Sequence, residues 1–154
     1  MFSLDSLEVV YVVTAFLFQI TLVAHFALRK WRFRFAMRYG RIVYALSIPA
    51  ATVSAVLLLR GAPWSLWLGG LLYLAWAAYA YTVDYFHAIH WRAPFRWQVG
   101  IPYVVLYLAT VMFYWWPLGE IHRALWYAQA ALFVLSTVLN VTSHRRSEGR
   151  TQAA

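Results

Sequence analysis

An all-α integral membrane protein, a bundle of five transmembrane helices with its N-terminus outside and its C-terminus cytoplasmic, is the fold class this sequence predicts. Three observations carry that prediction. Hydrophobic residues make up 64% of the 154 residues and charged residues 12%, about half the charged share of a soluble domain. The apolar residues gather into five runs near the roughly 20 residues that a helix needs to cross about 30 Å of hydrocarbon. The cations fall on alternate connections between those runs.

The first span is expected at about Val9 to Leu28. Ahead of it MFSLDSLEVV carries Asp5 and Glu8 and no basic stretch, so it does not read as a cleaved signal peptide. After it comes RKWRFRFAMRYGR, in which Arg29, Lys30, Arg32, Arg34, Arg38 and Arg41 alternate with aromatic residues. On a soluble domain this mixture would suit nucleic acid. Between two spans it predicts an interfacial segment: Trp31, Phe33 and Phe35 dip toward the acyl chains while the six cations meet anionic lipid headgroups. Each such cation contributes about 1 kcal/mol near an anionic surface, so the net charge of +8 calls for no nucleic acid.

The second span, about Ile42 to Leu59, contains SIPAATVSA. Pro49 lacks the N–H that would bond the Ala45 carbonyl, which predicts a bend. Small residues around it, with a row Ser47/Ala51/Ala55 and Ser54 beside it, predict close helix packing; the alternative use of the bend is a pocket for a lipid, quinone or pigment. GAPW then places Pro63 at the start of the third span, about Trp64 to Val83, where a missing N–H costs nothing. Gly69 and Gly70 give that span a small-residue surface of its own, so spans two and three should form a tight hairpin.

The fourth span is expected at about Val99 to Trp116, with Pro102 in its first turn, and the fifth at about Ala124 to Val141. Between them the proline and glycine of WWPLGE are expected to stop the fourth helix and turn the chain. The chain is thus one transmembrane domain, residues 1–154, with no room for a separate soluble catalytic domain. Eleven of the thirteen cations fall on one side, on the first and third connections and the C-terminal tail; Arg60 and Arg123 fall on the other. That asymmetry sets the orientation and predicts a multi-pass protein of the cell's inner (plasma) membrane. Trp64, Trp67, Trp115, Trp116 and Trp126 mark the outer interface, Trp31, Trp91 and Trp97 the inner one, and Trp76 is left near mid-membrane.

Cysteine is absent, which removes disulfides, thiolate chemistry, iron–sulfur clusters and covalently attached haem. No phosphate-binding glycine loop, nucleophile elbow or carboxylate pair within one span is present. The spans hold amides and hydroxyls in place of charges: Gln19, Ser47, Thr52, Ser54, Gln129, Ser136, Thr137 and Asn140, which can bond across helices. Glu120 and His122, with Asp5 and Glu8, read as a solvated acidic rim on the outer face, with cation binding or proton shuttling as the sharper alternative.

Chemistry concentrates in TVDYFHAIHWRAPFRW, Thr82 to Trp97. On a continued helix Asp84, His87 and His90 spread over about 120° of one side, an arc that would suit a metal ion. His25, near the inner end of the first span, and His144, just past the fifth, are expected at the same depth as His87 and His90. Four histidines at one level are what a bis-histidine haem b requires. The competing expectation is an interfacial anchor, with Asp84 paired to Arg92, Arg96 or an arginine of the first connection. Tyr44, Tyr73, Trp76, Tyr79 and Tyr107 are candidates to line a flat apolar ligand or to fill the core.

In size and span number the chain is similar to the tryptophan-rich sensory proteins. Their proline- and tryptophan-rich loop after the first helix is not found in FALRKWRFRFAMRYGR, and no residue role carries over. The functional expectation is a small non-enzymatic accessory or binding subunit that holds lipid, a lipophilic cofactor or the helices of partner membrane subunits or of further copies of itself. The alternatives are a haem- or metal-bearing redox or quinone-interacting subunit, and a small oligomeric transporter or channel built around the second span.

Overall fold

The computed structural model describes residues 5–87, 89, 91 and 94–151, without the side chains of residues 37 and 144–151. The chain is helical throughout, with no strand among the described residues, and five of its helical runs are long and apolar enough to cross a membrane. Span one is α1 (Ser6–Trp31). Span two is built from α2 (Phe33–Tyr39), α3 (Arg41–Ala45) and α4 (Ser47–Leu59). Span three is α5 (Trp64–Tyr81), extended by a π-helical turn (Thr82–Phe86). Spans four and five are α6 (Trp97–Ile121) and α7 (Arg123–Thr151). In space α4 packs on α5, α5 on α6, α6 on α7 and α7 on α1, and α1 meets α4 to close the ring. An odd number of spans closed this way makes the first and last parallel neighbours.

Helix α1 starts on a capping box. The Asp5 carboxylate accepts from the Ser6 N–H at 2.6 Å, and Glu8 Oε2 accepts from the Asp5 N–H at 3.1 Å, satisfying donors that a helix end leaves unpaired. The helix buries Tyr11, Ala15, Phe18, Gln19 and Leu22, an i, i+4, i+7, i+8, i+11 stripe. Arg29 and Lys30 in its last turn complement the helix dipole.

The thirteen residues expected as an interfacial connection are two helix ends with a single-residue break between them. The chain turns sharply at Arg32, whose φ of −128° and ψ of 57° are not helical, and α2 begins at once. Gly40 and Leu46 keep right-handed helical angles, so α2, α3 and α4 run on as one kinked span. Its 27 residues measure about 40 Å at 1.5 Å each, roughly 10 Å more than a typical hydrocarbon layer.

The kink between α3 and α4 falls at Leu46, next to Ala45, whose carbonyl Pro49 leaves without its N–H. Side chains take up the loosened backbone: the Ser47 hydroxyl donates to the Tyr44 carbonyl at 2.6 Å, and the Tyr73 hydroxyl of α5 donates to the Val43 carbonyl. The buried row of α4 is Ser47, Ala50, Ser54 and Leu57. Ala51 is half-buried, while Ala55 and Pro49 are exposed, so the row steps through 47, 50 and 54 where 47, 51 and 55 was expected.

A Schellman end closes α4. Ala62 N–H bonds Leu57 O and Gly61 N–H bonds Leu58 O, both at 3.0 Å, around Gly61 at φ +73°; Pro63 then caps α5. The two central glycines of α5 serve different neighbours. A Cβ on Gly70 would lie 2.6 Å from the Ala50 carbonyl oxygen and 2.1 Å from Ser54 Oγ, whereas one on Gly69 would lie 3.2 Å from the Phe113 oxygen of α6. Trp76 is buried among Tyr44, Tyr73, Tyr103 and Tyr107, with ring centroids 5.6–6.0 Å away.

The turn into the fifth span lies later than WWPLGE suggested. Helix α6 runs through Pro117 to Ile121, and the turn is His122, extended at φ −165° and ψ 129°. A proline at 117 deprives the Phe113 carbonyl of its N–H partner. Here the Tyr11 hydroxyl of α1 donates to that oxygen at 2.8 Å, so the helix survives. Gly119 does not end it either: a Cβ there would press on Trp126 Cδ1 at 3.0 Å. Pro102 likewise sits inside α6, which begins at Trp97, and the Tyr79 hydroxyl donates to the nearby Val99 carbonyl at 3.1 Å.

Candidate functional site

The polar side chains with the most defined surroundings gather where α1 ends, α2 begins and α5 gives way to the π-helical turn. In that turn the His87 N–H bonds the Thr82 carbonyl at 2.9 Å, five residues back. A widened turn of this kind changes the direction of the side chains that follow it. It sets Asp84, half-buried, facing Trp91 and α3: Trp91 Nε1 donates to Oδ1 at 3.2 Å and the Tyr44 hydroxyl to Oδ2 at 3.4 Å. Trp91 is 5% exposed and packs on Tyr103 with centroids 4.9 Å apart. Its ring is thus buried in the bundle, with the indole N–H on Asp84.

His25 and Gly40 meet on the other side of the cluster. A Cβ at residue 40 would lie 3.2 Å from His25 Cε1, 3.5 Å from the Tyr85 hydroxyl and 2.7 Å from the Ala36 carbonyl oxygen. Glycine is thus what lets the α2–α3 bend settle against α1 and the π-helical turn. Tyr85 stacks on Tyr81 at 5.4 Å and meets Tyr44 edge-on at 5.8 Å. The Arg41 guanidinium lies 5.0 Å from the centre of the Tyr85 ring, a cation–π distance.

Around this cluster the basic residues form a collar. Arg32, Arg34, Arg38 and Arg41 are exposed, and Arg29 and Lys30 half-buried. Helix α2 and the Gly40 that follows it turn Ala36 and Gly40 inward; the helix packs Phe35 against Tyr39 at a tilt, with centroids 4.4 Å apart, and carries Arg34 and Arg38 one turn apart on a separate face. Trp31 is 62% and Phe33 39% exposed. Lys30 Nζ lies 5.5 Å over the Trp31 ring and Arg38 5.7 Å over Tyr39. Cations and exposed aromatics therefore alternate around one rim.

The sequence-derived histidine site meets this geometry residue by residue. The arc of Asp84, His87 and His90 needs a continuous helix, but the helix ends at Phe86; His87 is exposed and lies edge-on to the Phe86 ring at 4.9 Å. His25 is half-buried against the α2–α3 bend. His90, Arg92 and the His144 side chain lie outside the described residues. Among the described residues no three of His, Asp and Glu come together as a metal site; of the described histidines, His25 lies against the glycine bend, His87 on the surface and His122 in the turn before α7.

At the opposite end two of the three acids are occupied by a helix start, while Glu120 is exposed in the last turn of α6. Asp5 and Glu8 cap α1, and His122 Nδ1 accepts from the Ala124 N–H at 3.1 Å in the first turn of α7. The D-x-x-E spacing at 5–8 is a capping-box signature that sequence reading could have taken up. Gly40, Tyr85 and the burial of Trp91 had no such signal, because each depends on the π-helical turn. Trp64 meets Trp116 at 5.7 Å, and Trp115 packs on Trp126 at 5.0 Å, the Trp115 indole N–H donating to the Trp126 carbonyl at 3.0 Å.

No protein-family model, curated protein or solved structure matches this chain.

Proposed function

We propose that the protein is a small multi-pass subunit of the cell's inner membrane, N-terminus outside and C-terminus cytoplasmic, whose non-enzymatic role is to hold anionic lipid at its basic rim. One observation supports this most: α2 separates Arg34 and Arg38 from the paired rings of Phe35 and Tyr39, with Ala36 and the following Gly40 turned to the bundle. A short helix with cations on one face and aromatics on the next matches the boundary between headgroups and acyl chains. The cationic ends of α1 and α2 meet at Arg32, so lipid phosphates placed between them would relieve their mutual repulsion. The exposed apolar faces, such as Ile101, Val105, Leu108 and Met112 of α6, are left for lipid tails, partner subunits or further copies.

The test is lipid retention by the purified protein, measured by native mass spectrometry after exchange into mixed anionic and zwitterionic lipid. Wild type should retain anionic lipid preferentially. Arg34→Gln with Arg38→Gln removes about 1 kcal/mol per cation, which weakens that preference by roughly thirtyfold. Equal retention of the two lipid classes by wild type would end this reading.

A further inference from the structure

The joint between α1 and α7 buries two side-chain amides, Gln19 and Gln129, with the Ser136 hydroxyl between the helices. Gln19, 0% exposed, donates Nε2 to Ser136 Oγ at 2.9 Å, and the Ser136 hydroxyl donates to the Phe133 carbonyl at 2.9 Å. A hydroxyl has one hydrogen. Toward Gln19 it therefore offers only a lone pair, and the amide must present its NH2. Gln129, 1% exposed, donates Nε2 to the Ala15 carbonyl at 3.4 Å, and a carbonyl only accepts. Both amides are oriented by their partners, and both Oε1 oxygens are left buried without a hydrogen-bond partner.

A third such atom is the Tyr114 hydroxyl of α6. Its ring packs on Tyr11 and Phe18, with centroids 6.3 and 5.0 Å away, and these residues flank Ala15 on the buried stripe of α1. Hydrocarbon supplies no partner for any of the three, and buried polar atoms left unpaired there are strongly unfavourable.

We infer that the α1–α7 joint binds internal water at Gln19 Oε1, Gln129 Oε1 and the Tyr114 hydroxyl. The two amide oxygens need a donor, and the phenol can exchange a bond in either direction. Water is the smallest group that does both, and buried polar sites of this kind hold it. No carboxylate stands at the joint to offset the charge of a bound cation: the acids of these helices among the described side chains sit at their ends, Glu8 in the first turn of α1 and Glu120 in the last of α6. This inference is independent of the lipid reading, since the joint lies away from the basic rim.

Solid-state NMR of the labelled protein in lipid bilayers tests it, by following magnetisation passed from water to individual side chains. The Gln19 and Gln129 amides should receive it about fivefold faster than the Ala77 and Ala80 backbone amides, equally exchangeable N–H groups of residues buried at α5. Rates no faster than at those alanines would overturn the inference. So would a signal that arises from a co-purified hydroxylated lipid, identified by mass spectrometry of the same sample. Gln129→Leu should abolish the transfer at its own position and keep it at Gln19. Tyr114→Phe, which leaves both amides in place, should preserve transfer to both; its loss from both would show that no amide-held water is present.

Discussion

The α4–α5 joint and the α1–α7 joint solve the same problem in opposite ways. The first joins neighbours in sequence, antiparallel and linked by the four-residue turn Arg60 to Pro63, and it is set by close approach: Gly70 lets α5 come up to the Ala50 carbonyl and Ser54. The second joins the two ends of the chain, parallel and without a connecting loop, through Gln19 to Ser136 and Gln129 to Ala15. A short loop already restricts how its helices can meet, so shape is enough to finish the joint. Helices more than a hundred residues apart have no such help, and directional bonds fix their register.

Enlarging Gly70 should do most to break this contrast. Ser54 can rotate away from a new side chain, but the Ala50 carbonyl cannot, because it belongs to the helix itself. Gly70→Leu should therefore cost about 3 kcal/mol, read as a lower midpoint of denaturation in a mixed-detergent titration. Adding Ser54→Gly should recover less than half of that loss. A wild-type midpoint for Gly70→Leu alone would mean that α4 and α5 do not approach as closely as their backbones imply.

Next in size is Tyr11, which extends the polar closure of α1 to α6. Tyr11→Phe leaves the Phe113 carbonyl without its donor and should cost about 1–2 kcal/mol. The cause is checked by Pro117→Ala, which restores an N–H at residue 117. In that background Tyr11→Phe should cost under about 0.5 kcal/mol, a coupling that a double-mutant cycle resolves. Equal costs in the two backgrounds would make Tyr11 a packing residue only.

The α1–α7 joint itself should respond more weakly, because an interhelical hydrogen bond in a membrane averages about 0.6 kcal/mol and rarely exceeds about 1.7. Gln19→Leu is expected in that range by the same titration, and Ser136→Ala should add little once Gln19 is gone. A loss as large as that of Gly70→Leu would erase the distinction between a joint set by shape and one set by bonds.

What the sequence made legible follows the same division. Five apolar runs, the Pro49 bend and the hairpin of spans two and three could be read because they depend on local composition and on single residues whose effect is intrinsic. The length of α6 could not: Pro117 and Gly119 look like a stop until Tyr11, more than a hundred residues away, supplies the missing bond and Trp126 fills the space above the glycine. The cluster around Asp84 was hidden for a similar reason. Helical periodicity placed Asp84, His87 and His90 on one arc, whereas the π-helical turn directs Asp84 toward Tyr44 and Trp91 and leaves His87 on the surface. The basic collar was legible as composition, while its split at Arg32 and the three faces of α2 needed the fold.

The smallest expected effect separates joints from ends. Asp5 and Glu8 form the capping box of α1 but touch neither joint, so Asp5→Ala removes about 1 kcal/mol from the first turn alone. Since helix ends fray independently of the global transition, that loss should appear locally, as amide hydrogen exchange about fivefold faster from Ser6 to Val9, with the denaturation midpoint unchanged. A midpoint shift as large as that of Gln19→Leu would mean that the first turn of α1 unfolds together with the α1–α7 joint. The closing of the ring would then begin at the capping box, and the polar joint would extend the whole length of α1 instead of residing at Ala15 and Gln19.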